Sequence, residues 1–415
     1  MLANARLPAP GPFQSASKPF VPAPYTPPRT RASTSSSSTA ISSISSPQAV
    51  EPPPFYLIAA HAGAGFHPPG EDAPVRAALR TALQVPAPLL PDADALSTIT
   101  SVVSTLENAP ALNAGYGSNL TLLGHVECDA AIMEGSDGHF GAVGAVDSVK
   151  NPIKLARTVL EGRRRPDALG RVPPLMIVGG GADKLAIENG VGRVAEDALV
   201  SERARKEWEM WRGRYDSLKE LEKNGAVEAT GPEVGQMRDA LRARQDTVGA
   251  VVFDCAESFA AGVSSGGLLL KPPGRVGEAA IYGAGCWADN RMACSISGRG
   301  ELIMQSALAK TIADELEEEP DGDMHEILRS VLVDKFYLKW KARGEPQPDA
   351  GILLLRKQVE PSKARLWCAF TTPTMAIAHA SSVHPKPKTT ILRNPSHSYT
   401  DDEHPPIYIT SLPLI

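Results

Sequence analysis

Short apolar runs of strand length recur along most of the chain, separated by glycine, proline or acidic turns. Runs at 55–60, 141–146 and 175–178 predict strands, the last of them buried, and HAGAG at 61–65 predicts a glycine-rich turn after the first. Val248–Asp254 and Phe259–Ser265 flank a short acidic turn and predict a β-hairpin. Runs of the same character predict further strands at 279–283, 351–356 and 366–372.

Helices are indicated by a different spacing of apolar residues. Leu96, Ile99, Val103 and Leu106 recur every three or four residues and predict a helix over 94–107. A second helix is expected to begin at Asn151-Pro152, with asparagine as the N-cap, and a third to span 301–316. Because helices and strands are both frequent but do not alternate strictly, the pattern favours a layered α+β fold over a parallel βαβ array.

Two stretches depart from the layered pattern. Residues 1–54 are rich in proline and serine, have Glu51 as their first acidic residue, and predict a disordered tail. The basic residues of this tail also allow a mitochondrial transit peptide, although its prolines oppose the amphipathic helix that such a peptide needs. Residues 195–245 include the densely charged segment 201–223, which predicts a surface helix within a mobile connector.

Net charge, apolar stretches and cysteine placement argue against several classes of function. The chain has 415 residues and a net charge of −5, so no general attraction to nucleic acid or to an anionic membrane is expected. No apolar stretch approaches the ~20 residues that span a bilayer. The five cysteines are scattered, which favours a reducing compartment, the cytoplasm or the nucleus. No histidine and cysteine cluster has the spacing of a zinc site, and no metal or cofactor is expected.

The most informative dipeptide is Asp246-Thr247, because Thr247 opens the apolar run of a predicted strand. A threonine hydroxyl is a poor nucleophile until a base removes its proton. A cut between the two residues would free the α-amine of Thr247, which can serve as that base. The dipeptide therefore predicts an enzyme that makes its own nucleophile. The alternative is a buried strand that happens to begin with Asp-Thr.

Other polar residues stand next to glycines. Arg275 lies in PGRVG at 273–277, where glycines permit close approach and the guanidinium fork suits a carboxylate. Ser297 and Gly298 precede a predicted helix, where a hydroxyl and a backbone N–H suit a developing oxyanion; the alternative is a helix N-cap at Ser297 or Gly300. His61 is either a catalytic base or a structural residue at a strand end.

Taken together, these blocks resemble the asparaginase-2 family of N-terminal-nucleophile hydrolases. The matching text is HAGAG at 61–65, NAGYGSNLTLLG at 113–124, ECDAAIMEG at 127–135, FGAVGAV at 140–146, KNP at 150–152, DTVGAVV at 246–252, SSGG at 264–267, PGRVG at 273–277 and YGAGCWA at 282–288. Within the family the chain is most similar to the threonine aspartase (taspase) branch. Asp246 stands where asparaginases usually have glycine, SSGG replaces STGG, and HAGAG replaces HGGAG.

The resemblance implies a four-layer αββα sandwich over residues 55–372, made as one precursor and cleaved into an α chain that ends at 246 and a β chain from 247. Residues 373–415 match poorly. It implies a self-processing threonine endopeptidase that cuts protein substrates after aspartate, requires no cofactor and forms a homodimer of processed αβ units. The alternatives are an asparaginase or isoaspartyl peptidase acting on small β-aspartyl compounds, and a non-catalytic scaffold of the same fold.

The resemblance also implies roles around the nucleophile. Thr247 matches the nucleophile, and Ser265 matches a hydroxyl residue that hydrogen-bonds and tunes it. Ser297 and Gly298 match the oxyanion hole. Gly63 matches a glycine that packs against the scissile bond of the precursor.

On the substrate side, Arg275 matches the arginine that binds a carboxylate, and Asn113 and Asn119 fall in a loop that lines the site. Glu278 departs from the taspase pattern, which has an uncharged residue there. Asparaginases place at this position an aspartate that binds the substrate α-amine. Glu278 therefore keeps the small-molecule alternative open.

Overall fold

Two β-sheets form the centre of the protein. The computed structural model describes residues 55–70, 72–84, 94–165, 167–224, 247–358, 363–395 and 405–412. Its strands are, in chain order, β1 Leu57–Gly65, β2 Cys128–Glu134, β3 Phe140–Val146, β4 Met176–Val178, β5 Val248–Phe253, β6 Phe259–Ser265, β7 Cys286–Ala288, β8 Met292–Gly298, β9 Ala350–Lys357, β10 Ala364–Phe370, β11 Thr374–Ser381, β12 Lys388–Arg393 and β13 Tyr408–Leu412. The larger sheet has the order β12-β11-β1-β5-β6-β2-β3-β4, and the smaller has the order β13-β10-β9-β8-β7.

Helices lie before, between and after these strands. The helices of the described residues are α1 Asp72–Gln84, α2 Ala95–Glu107, α3 Pro152–Gly162, α4 Gly179–Glu188, α5 Glu202–Lys223, α6 Gly300–Ser306, α7 Leu308–Glu318, α8 Met324–Arg329 and α9 Leu338–Lys341. A π-helical segment, Ser330–Tyr337, joins the last two. None of these helices combines the length and the apolar character needed to cross a membrane.

Both faces of the larger sheet are covered by apolar side chains. On one face Val251 of β5 joins a buried cluster that includes Ile296 of β8 and Ile312 of α7. On the other face Val252 joins a second cluster, which includes Ile99 of α2 and several residues of α3. Successive side chains of a strand point to opposite faces, and both faces of β5 are buried, which explains why its sequence is apolar throughout. The result is a mixed α/β protein with two large sheets and helices.

The predicted hairpin is confirmed and lies at the centre of the larger sheet. Strands β5 and β6 pair antiparallel, with Val248 opposite Ser264 and Phe253 opposite Phe259. On its other edge β5 pairs antiparallel with β1, where Ala62 lies opposite Val248. The start of β5 is therefore held from both sides.

The turn predicted at 61–65 and the strand predicted at 279–283 are both wrong. HAGAG continues β1 rather than forming a turn, and an irregularity in the pairing with β11 lies between His61 and Ala64. The run at 279–283 is not a strand, because Glu278–Ala280 forms a 3₁₀ turn that the Ile281 amide closes by donating to the Glu278 carbonyl.

Burial and helix continuity bring two further corrections. The predicted strand at 175–178 forms as β4, but Met176 and Val178 are exposed because β4 is the edge strand and pairs only with β3. The helix predicted over 301–316 is two helices, since Ala307 adopts a left-handed conformation (φ 44°) between α6 and α7.

The structure describes only part of the connector, none of the N-terminal tail and most of the C-terminal segment. Within the connector, the predicted helix forms as α5 and packs on the loop at 113–124, where the Trp208 indole donates to the Thr121 carbonyl at 2.8 Å. Residues 225–246 and the tail 1–54 lie outside the described residues. The segment 373–415, which the resemblance leaves unmatched, supplies β11 and β12 to the larger sheet and β13 to the smaller one.

Candidate active site

Thr247 lies immediately before β5 and is 5% exposed. Because Val248 pairs with Ala62 on one side and with Ser264 on the other, Thr247 lies where the ends of β1 and β6 meet the head of β5. Strand pairing on both sides thus fixes the backbone from which the threonine side chain projects. Asp246, the residue before it, lies outside the described residues.

The Thr247 hydroxyl contacts two polar side chains. Its Oγ1 is 2.8 Å from Glu278 Oε1 and 3.2 Å from Ser265 Oγ. Ser265 Oγ also accepts a hydrogen bond from the Gly267 amide at 3.0 Å. A hydroxyl has a single proton, so Thr247 donates to only one of its two partners. With Glu278 ionised, the consistent arrangement has Ser265 donating to Thr247 and Thr247 donating to the carboxylate.

Glu278 is buried, with 4% of its surface exposed. Burial raises the pKa of its carboxyl above the ordinary value, and the nearby charge of Asp129 acts in the same direction. The positive charge of Arg275 and the hydrogen bond from Thr247 act to lower this pKa. A Cβ at Gly300 would lie 2.4 Å from Glu278 Oε2, so only glycine at the start of α6 leaves room for the carboxylate.

Arg275 lies beside this carboxylate and is itself mostly buried. Its guanidinium Nε and Nη2 donate to Glu301 Oε1 at 2.9 and 2.6 Å. The Arg275 side chain is 13% exposed, whereas that of Glu301 is 52% exposed. The guanidinium therefore pairs with a carboxylate of the protein itself, that of Glu301, and its contact with a substrate carboxylate stays a prediction.

The two residues expected to form an oxyanion hole lie at the end of β8. Ser297 is fully buried, and its Oγ accepts a hydrogen bond from the Ala64 amide at 3.0 Å. Gly298 follows with φ 142°. Gly63 of β1 has φ 94° and lies between Ala62 and Ala64. Ala62 is the residue of β1 that pairs with Val248. The structure therefore joins Ser297 to the part of β1 that lies beside Thr247.

Asn113 and Asn119 bind the turn that follows Ser265. The side-chain amides of both residues donate to the Gly267 carbonyl at 2.9 Å. The Asn113 side-chain oxygen accepts from the Asn119 amide, and the Asn113 carbonyl accepts from the Gly266 amide. In this arrangement the two side chains hold the loop that positions Ser265.

The sequence did not reveal a buried pair behind the nucleophile. His61 Nε2 lies 2.8 Å from Ser295 Oγ, and its ring also hydrogen-bonds the backbone of Thr247. Burial lowers the pKa of His61 to about 4, although the bond to Thr247 opposes this, so the ring is neutral at physiological pH. Gly249 is the residue that could have indicated this pair from the sequence, because a glycine inside a strand often marks a place where another group comes close to the backbone. A Cβ at Gly249 would lie 2.0 Å from Ser295 Oγ.

The sequence also did not reveal Asp129 and Lys271, two buried charged residues that bind the backbone near the loop of Arg275. Asp129 accepts hydrogen bonds from the Ala145 amide and, at 2.8 Å, from the Gly277 amide. Lys271 is 1% exposed and donates to the Glu127 carbonyl at 2.7 Å. Asp129 and Lys271 could have been identified from the sequence because each is a charged residue inside an otherwise apolar or glycine-rich block. Such residues are seldom fully buried without partners.

A mixed α/β fold with a buried threonine hydroxyl at the head of a central strand is typical of N-terminal-nucleophile hydrolases. The Asparaginase model of the asparaginase-2 family matches residues 54–332. The chain therefore belongs to the asparaginase-2 family, which is hydrolytic, as the sequence resemblance predicted.

Curated relatives share this family. The chain is 36% identical over 264 residues to a mouse protein named isoaspartyl peptidase/L-asparaginase, a match that covers 63% of this chain and 70% of the relative. It is 36% identical over 283 residues to the cattle protein of the same name, covering 68% of this chain and 79% of the relative. A plant-type L-asparaginase of Pyrococcus abyssi is 38% identical over 261 residues, covering 62% of this chain and 78% of that protein.

Proposed function

We propose that the protein is a self-processing threonine endopeptidase that cleaves protein substrates after aspartate. The observation that carries the proposal is the Thr247 hydroxyl, which follows an aspartate in sequence and is buried within hydrogen-bond distance of Ser265 and Glu278. Cleavage before Thr247 would free an α-amine on the same residue as the hydroxyl. That amine is suited to activate the hydroxyl in later turnovers.

Arg275 supports the preference for aspartate. Its fork already binds a carboxylate oxygen of Glu301 with two nitrogens. A substrate aspartate that replaced Glu301 would receive the same charge-assisted bonds. Asp246 would use this slot during self-cleavage, and substrate aspartates would use it afterwards. We assign Ser297 and Gly298 to stabilisation of the oxyanion, and Gly63 to packing against the scissile bond.

We further propose the αββα layering of the family and a homodimer of processed units. The layering is supported by the two clusters, one containing residues of both sheets and the other containing α2 and α3 with the opposite face of the larger sheet. The dimer is supported by β4, an edge strand with Met176 and Val178 exposed. Unpaired edges with apolar side chains favour association. An intracellular compartment accords with the five scattered cysteines of the sequence.

A second candidate is an asparaginase or isoaspartyl peptidase. The names of the relatives favour it, and so does Glu278, which places a carboxylate where a substrate amine would need one. Asp246 and the SSGG motif favour the first candidate, because asparaginases usually have glycine before the threonine and STGG at 264–267. A scaffold without activity is disfavoured by the connected set of Thr247, Ser265 and Glu278.

Two measurements on purified protein test the proposal. Denaturing mass spectrometry should show fragments 1–246 and 247–415, and Thr247→Ala should remain whole. The processed protein should cut a peptide with a single Asp-Gly bond and should turn over free asparagine and β-aspartyl dipeptides poorly. Changing the peptide aspartate to asparagine should lower kcat/KM about ten- to hundredfold. Ammonia release from asparagine without peptide cleavage would establish the second candidate instead.

A further inference from the structure

We propose that Glu278 is the catalytic base of the first cut, taking the proton of the Thr247 hydroxyl while Thr247 is still linked to Asp246. This inference rests on the proposed self-processing. The contact that carries it joins Thr247 Oγ1 to Glu278 Oε1 at 2.8 Å, with both residues buried. It adds a role to a residue that the sequence resemblance relates only to substrate binding.

A separate base is required because the amine of Thr247 does not exist before the cut. In the precursor that nitrogen belongs to a peptide bond, and its lone pair is delocalised into the carbonyl. Among the described residues, Ser265 is the other side chain in contact with Oγ1, and a neutral hydroxyl is too weak a base. In the His61 ring, Nε2 lies 2.8 Å from the Ser295 hydroxyl and Nδ1 accepts from the Gly63 amide at 3.4 Å, so both nitrogens face other groups.

The proton and bond balance of the step is complete with Glu278. Thr247 Oγ forms a bond to the Asp246 carbonyl carbon as its proton passes to Glu278 Oε1. The bond from that carbon to the Thr247 nitrogen then breaks, and the nitrogen takes the proton back from Glu278. The product is an ester with a free amine, and Glu278 is again a carboxylate. Water adds to the ester carbonyl, and Thr247 Oγ leaves as a hydroxyl.

Burial has the largest effect on Glu278 and raises its pKa, and the charged groups around it act in both directions. Arg275 from the same loop favours the carboxylate, while Asp129 from β2 disfavours it. Lys271 offsets the charge of Asp129, and Glu301 from α6 pairs with Arg275. Burial disfavours the ionised form further, and a base is most effective when its pKa approaches the working pH.

The test follows self-cleavage of the full-length chain after rapid purification, with the 44.0 kDa precursor resolved from its fragments by gel or mass. Glu278→Gln should slow the cut by about 10²–10⁴-fold, the usual contribution of a general base. Glu278→Asp should be intermediate, because its carboxylate is one methylene shorter and its contact to Oγ1 is longer. Glu107→Gln, a matched change at a fully buried carboxyl without a contact to Thr247, should keep the wild-type rate.

The pH profile separates a base from a structural role. The wild-type rate should rise with pH and then level off as one carboxyl ionises. The Glu278→Gln rate should keep rising about tenfold per pH unit, because hydroxide replaces the missing base. A wild-type rate and profile in Glu278→Gln would overturn the inference while leaving self-processing intact. If Glu278→Gln fails to fold by circular dichroism, an unchanged rate and profile in Glu278→Asp would overturn it. A wild-type chain that never cuts would overturn the proposed function together with this inference.

Discussion

Glu107 should make the stability of the protein depend on pH. It is fully buried at the end of α2, and its Oε1 accepts a hydrogen bond from the Ile153 amide at 2.9 Å. Burial raises the pKa of this carboxyl from 4.5 to about 8, although the hydrogen bond from the Ile153 amide acts to lower it. At neutral pH the folded protein therefore holds Glu107 mainly in its protonated form, whereas the unfolded chain would ionise it.

The size of the effect follows from proton linkage. A raised carboxyl pKa contributes stability that is fully present below about pH 4.5 and is lost as the pH rises toward about 8. Each pH unit within that window lowers the free energy of unfolding by about 1.4 kcal/mol, so the loss at pH 7 is roughly 3 kcal/mol. Glu107→Gln removes the ionisation and keeps an oxygen that can accept from Ile153. At pH 7 the variant should therefore be more stable by roughly 2–3 kcal/mol.

Urea unfolding between pH 5 and pH 8.5 measures this difference, with both proteins carrying Thr247→Ala so that the chain stays in one piece. The wild-type free energy of unfolding should fall more steeply with pH than that of Glu107→Gln. Glu161→Gln, on the neighbouring helix α3 with 41% of its side chain exposed, is the control and should retain the wild-type slope. Parallel slopes for wild type and Glu107→Gln would refute the reasoning.

Two further predictions concern the substrate slot and the sheet edge. Glu301→Gln should lower KM for an aspartate peptide about fivefold with little change in kcat, because the ion pair that the substrate must displace is partly exposed and is worth about 1 kcal/mol. Steady-state kinetics decide this, and a higher KM would mean that Glu301 serves to hold Arg275 in place. Val178→Lys on exposed β4 should reduce the native mass from twice 44.0 kDa to 44.0 kDa, as measured by light scattering. An unchanged native mass would exclude β4 from the interface.

Elements defined by neighbouring residues were predictable from the sequence. The hairpin of β5 and β6 follows from two apolar runs around one acidic turn, and its strands end within one residue of the predicted bounds. The helix predicted over 94–107 forms as α2. Its apolar residues lie on one side of the helix, which is the pattern of a helix that packs one face against a core. In both cases the information lies within a single stretch of chain.

Contacts between distant residues were not predictable in this way. Asn151 does precede α3 as the N-cap residue, but its side chain makes no capping bond, and Glu107 from α2 accepts from Ile153 instead. His61 and Ser295 are 234 positions apart, and the spacing of neither residue indicates the other. The prediction that β4 is buried was wrong for a related reason. An apolar run does not reveal whether a further strand lies beside it in the sheet.

The placement of Thr247 explains how a cut beside it can leave a working site. Strand β5 is paired along its length with β1 on one edge and with β6 on the other, beginning at Val248. Because these pairs begin at Val248, after the peptide link that would be cut, the head of β5 keeps its pairing partners on both edges. A nucleophile at the end of a loop would lose its support on cleavage, whereas one on a doubly paired strand keeps it. The same pairing holds β1, which carries Gly63, against the strand that the cut would separate from it in sequence.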